Sequence, residues 1–208
     1  MVDLDPEKKI AGVLAPSFAL RGAQDLGVGD TEALKELIFW AARQGLSVVQ
    51  ILPINETGGD SSPYNQLSAM AIDPTTIATT PGILPDLTPE DFSRITSRYD
   101  LAALREGAVN YRQVKNLKRQ LLYAGFKNFR SRNADKRRAM AFAEFERENA
   151  VWLPDYAMHR AIVSWHEESE ISDQWPREQR SPAAARVWLE SLTPSSKRQT
   201  RDLARFHA

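Results

Sequence analysis

Two short apolar runs bracket one amphipathic helix near the start of the chain, and no later segment repeats that arrangement. Ile10–Ala15 (IAGVLA) ends at Pro16 and reads as a buried strand. The Gly-rich stretch AQDLGVGD follows, with Asp30 placed to cap a helix from about Thr31 to Gln44. Within that helix Leu34, Leu37, Ile38 and Ala41 recur at three- and four-residue spacing, which predicts one buried stripe. Gly45 sits where a left-handed C-cap is wanted. Ser47–Ile54 (SVVQILPI) is then a second strand, β-branched and apolar enough to be covered on both faces. Strand, helix, strand in so short a span makes a βαβ unit with parallel strands and a right-handed crossover. The fold class is therefore α/β. Two parallel strands alone leave both edges open, so either helices wrap the pair or further strands complete it.

Everything after Pro85 reads as helix. Thr88–Pro89 with Glu90 and Asp91 forms a capping box with proline at the first helical position. Asn110 with Gln113 is a second box, with Val109 and Val114 as its staple. Pro154, Ser181–Pro182 and Thr193–Pro194 mark further starts. The predicted helices span 89–96, 101–107, 111–131, 136–150, 154–168, 182–192 and 194–206. AIDPTTIA, residues 71–78, is a short extended piece. The expected organisation is residues 1–84 for the first strands, their helix and a long loop, and 85–208 for a helical region. The last helix runs to the final residue without a stop signal, which reads as a cut.

Charge excludes some partners. The chain has 27 Lys plus Arg against 27 Asp plus Glu, so no net field recruits nucleic acid or a membrane surface. Residues 112–138 hold ten Lys or Arg against the single acid Asp135. The favoured reading is an amphipathic helix with Val114, Leu117, Leu121 and Ala124 facing a core and the bases in water. The absence of cysteine excludes disulfides, a thiol nucleophile and a thiolate metal site. No apolar run approaches the ~18 residues of a membrane span, and the opening MVDLDPEKK is no secretory signal, so a cytoplasmic location is expected. His159 and His166 lie two helical turns apart beside Glu167 and Glu168, too distant for one ion, so no metal is expected. Trp40, Trp152, Trp165, Trp175 and Trp188 read as core.

The stretch NETGGDSSPYNQLSA after the second strand carries the chemistry. Long loops at the carboxyl ends of parallel strands are where α/β folds keep ligand sites. SPY at 62–64 joins a hydroxyl, a rigid proline and a phenol. Tyr64 offers a ring for an apolar sugar face, and Ser62 and Asn65 offer groups for its hydroxyls. The competing reading is a surface turn whose polar side chains serve its own backbone.

The order A-G-V-L-x-P, D-L-G-V-G-D, an amphipathic helix, Q-I-L-P-I-N and T-G-G-D-S-S-P-Y-N-Q-L-S-A-M-A-I-D-P resembles the start of the 4-alpha-glucanotransferases, glycoside hydrolase family 77. The match is dense over 11–78. F-x-x-F at 142–145 and W-L-x-D-Y-A at 152–157 extend it. The resemblance implies the N-terminal part of a (β/α)8 TIM barrel, its first βαβ unit followed by a mainly helical insertion. It implies retaining transfer of α-1,4-glucan segments between maltooligosaccharides, with an α-glucan as partner and no cofactor. Ser62 and Tyr64 would be substrate-binding, and Asp30 a helix cap. The loop departs from the family in carrying Gly59 where many members have an aromatic, and its SSPY insert lets either Ser61 or Ser62 fill the serine position. Retaining transfer needs two carboxyl groups about 5–5.5 Å apart. The family's R-x-D-H motif around the nucleophile does not occur here, so no catalytic residue is assigned and the chain alone is expected to be inactive. The reading from another class is a non-catalytic glucan-binding or helical interaction protein.

Overall fold

The computed structural model of the chain describes residues 7, 9–131, 136–166 and 172–208. The chain divides into two compact units, Met1–Phe129 and Arg130–Ala208.

In the first unit, strands β1 (Gly12–Leu14) and β2 (Val48–Gln50) run parallel, with Gly12 opposite Val48 and Leu14 opposite Gln50. Helix α1 (Thr31–Arg43) lies between them in the chain, and Asp30 caps its start: its Oδ1 accepts from the backbone N–H groups of both Glu32 and Ala33. Gly45 ends the turn after α1 at φ +75°. Gly29 is required for a different reason, since a Cβ there would meet the Ser17 carbonyl oxygen at 1.9 Å.

The expectation of a doubly covered strand is not met. Leu14 is 55% exposed and Val48 36%, because no third strand joins the sheet among the described residues. The α1 stripe is likewise only partly used. Ala41 is buried and Leu34 and Leu37 are half-buried, but Ile38 faces water. Trp40, expected in the core, is also exposed beside Phe39.

Helices α2 (Pro89–Thr96), α3 (Leu101–Arg105) and α4 (Tyr111–Ser131) supply the packed part of this unit. Thr88 Oγ1 accepts from the Asp91 N–H, and Asn110 Oδ1 from the Gln113 N–H, as their capping positions predict. Val114, Leu117, Leu121 and Ala124 of α4 meet Leu26, Val28, Leu87, Ile95 and Leu104 in one cluster, with Val109 against its edge. Arg21 and Arg105 tie the Gly-rich segment to α3: Arg21 donates to the Arg105 carbonyl at 2.9 Å, and Arg105 to that of Ala23 at 3.0 Å.

One basic residue of α4 does not stay in water. Lys118 is fully buried, donating to the Ile77 carbonyl at 2.8 Å and lying 3.5 Å from Asp30 Oδ2. Burial pushes its ammonium below the usual lysine value, against the opposing pull of Asp30, Asp25 and Asp73.

The second unit contains α5 (Lys136–Glu148), α6 (Leu153–Trp165), α7 (Pro182–Ser191) and α8 (Pro194–His207). Ser181 and Thr193 cap α7 and α8 through the N–H groups of Ala184 and Ser196. Helix α6 buries Leu153, Ala157, Ile162 and Val163, and Trp175 and Ala185 join the last two in a small core. Helix α5 buries none of its residues, and Met140 on it is 72% exposed. No described helix is long and apolar enough to cross a membrane.

Candidate functional site

The loop after β2 is a narrow antiparallel neck carrying a tight tip. Asn55 pairs with Ile72 and Thr57 with Gln66. Backbone bonds from Glu56 N–H to the Ala71 carbonyl (2.9 Å), Leu67 N–H to Glu56 (2.8 Å) and Asp73 N–H to Ile54 (2.8 Å) close the neck. Residues 71–78, expected to be extended, turn instead through a short 3-10 segment at Pro74–Thr76, capped by Asp73. The buried Asp73 carboxylate serves both sides at once. Its Oδ2 accepts from the Thr57 N–H and hydroxyl (3.3 and 3.0 Å), and its Oδ1 from the Thr75 N–H and hydroxyl (2.8 and 2.7 Å). That charge, after burial itself, raises the Tyr111 phenol above its usual range.

The tip is built on Asp60. Its Oδ1 accepts from the Ser62 N–H at 3.1 Å and its Oδ2 from the Asn65 side-chain amide at 3.0 Å. These two bonds, the Asn65 one first, hold the Asp60 carboxyl below the usual carboxylate range. The Gly58 carbonyl accepts from the Ser61 N–H and from Lys115 Nζ of α4, both at 3.1 Å. Ser61 stands at φ +53°, in the left-handed region that residues with a side chain rarely enter.

Ser62 and Tyr64, the two residues singled out from the sequence, share this tip and do different things there. Ser62 Oγ accepts from the Tyr64 N–H at 3.4 Å, so its oxygen serves the turn. The Tyr64 side chain is left out in solvent, 75% exposed. Such a ring is a flat apolar face with a hydroxyl at its rim, the pairing that binds a sugar ring by stacking and hydrogen bonding. Asn65, the third candidate, has its amide committed to Asp60.

Asp73, Lys115 and Lys118 escaped the sequence reading. For Lys118 a signal existed: it lies four residues after Val114 and three before Leu121, on the buried stripe itself. Lys115, and Asp73 in its bonds to Thr57, act across long sequence separations that no local pattern reveals, whereas the Asp73 cap on Thr75 is local.

The two histidines have a different environment. His166 stacks on Trp175 at 5.4 Å between ring centroids, and His159 packs on the same ring at 5.3 Å. His166 Nε2 also lies 2.6 Å from Gln179 Oε1. Burial first, then the Arg160 charge, holds His159 below the usual imidazole value. Glu167 and Glu168 lie outside the described residues. Among the described residues no three His, Cys, Asp or Glu side chains stand close enough to hold an ion.

Comparison with known proteins converges on one group. Residues 15–207 match the family model described as 4-alpha-glucanotransferase. A 4-alpha-glucanotransferase from Chlamydia pneumoniae is 32% identical over 80% of this chain, and one from Oryza sativa subsp. japonica is 34% identical over 80%. One from Synechocystis sp. is 31% identical over 89%. The chain spans only 31%, 17% and 36% of those three relatives respectively.

Proposed function

Because the chain belongs to the 4-alpha-glucanotransferase family, we propose that it is the N-terminal part of a retaining enzyme that moves α-1,4-glucan segments between maltooligosaccharides. In this reading β1 and β2 are the first strands of a (β/α)8 barrel, and the open faces of the pair are where further barrel strands and helices would pack. The exposed Tyr64 on its braced tip carries the assignment of a glucan contact. Its ring stacks on a glucose unit close to the scissile bond, while Ser62 shapes the turn that presents it.

The chemistry belongs to carboxylates outside these residues. One attacks the anomeric carbon as nucleophile while a second protonates the leaving oxygen. The second then takes the proton from an acceptor sugar hydroxyl, which displaces the enzyme in place of water. The R-x-D-H signature is absent from this chain. The reaction requires no cofactor, and the proposed location is cytoplasmic.

The test has two arms. The 208-residue chain incubated with maltotriose should release no glucose and build no longer oligosaccharide above a buffer blank. In a longer family protein carrying this segment, Tyr64→Ala should lower kcat/KM by roughly 30- to 1,000-fold, on the order of 2–4 kcal/mol, at an unchanged Tm. Tyr64→Phe should fall between the two. Transfer at the parental rate by the Ala variant would remove Tyr64 from the cleft.

A further inference from the structure

We propose that Asp60, Asn65 and Lys115 form a brace that holds the Tyr64 turn in its ligand-ready shape, making them positioning residues for an α-1,4-glucan docked on that ring. This inference rests on the glucan reading of the loop and adds to it the groups that set the loop's geometry.

The argument begins with Ser61. A non-glycine residue at φ +53° persists only where its surroundings over-determine it. Here they do. Both Asp60 oxygens are committed, one to the backbone just after Ser61 and the other to Asn65. The Asn65 N–H donates in turn to the Ser62 carbonyl at 3.0 Å, which closes the turn from within. From outside, Lys115 reaches from α4 to the Gly58 carbonyl, the same oxygen that accepts the Ser61 N–H. The tip is thereby fixed to a helix whose own stripe is buried in the core.

The Asp60 bonds do not exist to satisfy buried groups. Asp60 and Asn65 are exposed, and water would serve their polar atoms equally well. Exposed polar contacts of this kind contribute little to global stability. Their effect is on shape: they remove conformations of residues 58–65 that would otherwise have to be surrendered when a ligand arrives. What the restricted turn presents is Tyr64, whose ring is its most exposed large apolar group. An aromatic platform held in place before binding loses less freedom on capture, which is how preorganisation raises affinity.

The experiment is a double-mutant cycle on the 208-residue chain, titrated calorimetrically with maltoheptaose and melted in parallel. Asp60→Ala should weaken maltoheptaose binding roughly 3- to 10-fold and leave the melting temperature unchanged. In the Tyr64→Ala background it should cause no further loss, because a brace acts only through the ring it positions. The exchanged pair Asp60→Asn with Asn65→Asp keeps one amide facing one carboxylate and should restore parental affinity. Full additivity of Asp60→Ala and Tyr64→Ala, or an Asp60→Ala variant that binds like the parent, would overturn the brace and leave the glucan reading standing. If Asp60→Ala lowers the melt, the exchanged pair decides: weak binding on a restored melt overturns the brace, and restored binding supports it. Failure of the parent chain to bind, or parental binding by Tyr64→Ala, would instead overturn the glucan reading and the brace with it.

Discussion

The inner stripe of helix α4 and the β1–β2 pair both present apolar side chains in the same unit, yet they have opposite surroundings. On α4, Val114, Leu117 and Leu121 are wholly buried. Their partners, from Leu26 to Leu104, come from segments preceding the helix, so the cluster is complete within residues 26–124. On the strands, Leu14 and Val48 remain exposed, and Ile10 just before β1 is 51% exposed. An apolar helix stripe has one face to cover, whereas a parallel strand has two faces and two edges. The difference shows that hydrophobicity states a demand for burial, and only neighbours meet it.

Lys118 offers the sharpest test of how complete the α4 environment is. Lys118→Ala removes the Asp30 partner, the donor to the Ile77 carbonyl and the packing of a fully buried stem. It should cost about 3–5 kcal/mol in urea unfolding. Lys118→Met keeps the stem and should lose less, since Asp30 retains its bonds from the Glu32 and Ala33 N–H groups. The pH dependence has a definite sign. With the folded value lowered beneath 10.5, the unfolded chain binds more protons between the two values. Stability therefore rises with pH across that alkaline window, is complete above 10.5 and is lost as pH falls through the folded value. The Met variant should lack that slope. A slope unchanged in the variant would assign it to another group.

Leu117→Ala comes next, at about 2–5 kcal/mol, the cost of a cavity in a packed cluster. A loss within ~0.5 kcal/mol would mean that the cluster collapses around the gap, and the contrast with the strands would disappear. The smallest effect belongs to Leu14→Ser. In this chain it should change unfolding free energy by no more than about 0.5 kcal/mol, because the side chain already meets water. In a longer family protein whose added strands cover the pair, the same substitution should cost about 1.5–3 kcal/mol, the value of burying such a side chain. Equal costs in both proteins would break the comparison.

The same contrast explains what the sequence made legible. Helix starts were readable because a cap is a local device: Asp30, Thr88, Ser181 and Thr193 each bond an N–H two or three residues on. The packed stripe of α4 was readable because its spacing is helical. Lys118 was misjudged because its charge argued for water, whereas its position on the stripe argued for the core. Ile38 and Trp40 were misjudged for the converse reason, being apolar on a face without a neighbour. At the loop, Ser62 and Tyr64 stood out through their residue types. Their division of labour did not, since a hydroxyl that serves the backbone and one that faces solvent look alike in a string of letters. The Lys115 tether, spanning 57 positions, had no local signature.

Asp73 joins Thr57 and Thr75 through a single buried carboxylate, spanning 16 positions on one side and two on the other. The segment between those anchors is thereby tied at its base, independent of its own length. Lengthening a loop whose ends are already held adds only a slowly growing entropic cost, so one extra residue near the tip is cheap. A tied base of this kind lets the tip change its contour, an added serine or a missing aromatic included, without loosening the scaffold beneath it. Asp73 thus divides the loop in two: a base anchored by its own carboxylate, and a tip whose shape rests on a separate set of bonds from Asp60, Asn65 and Lys115.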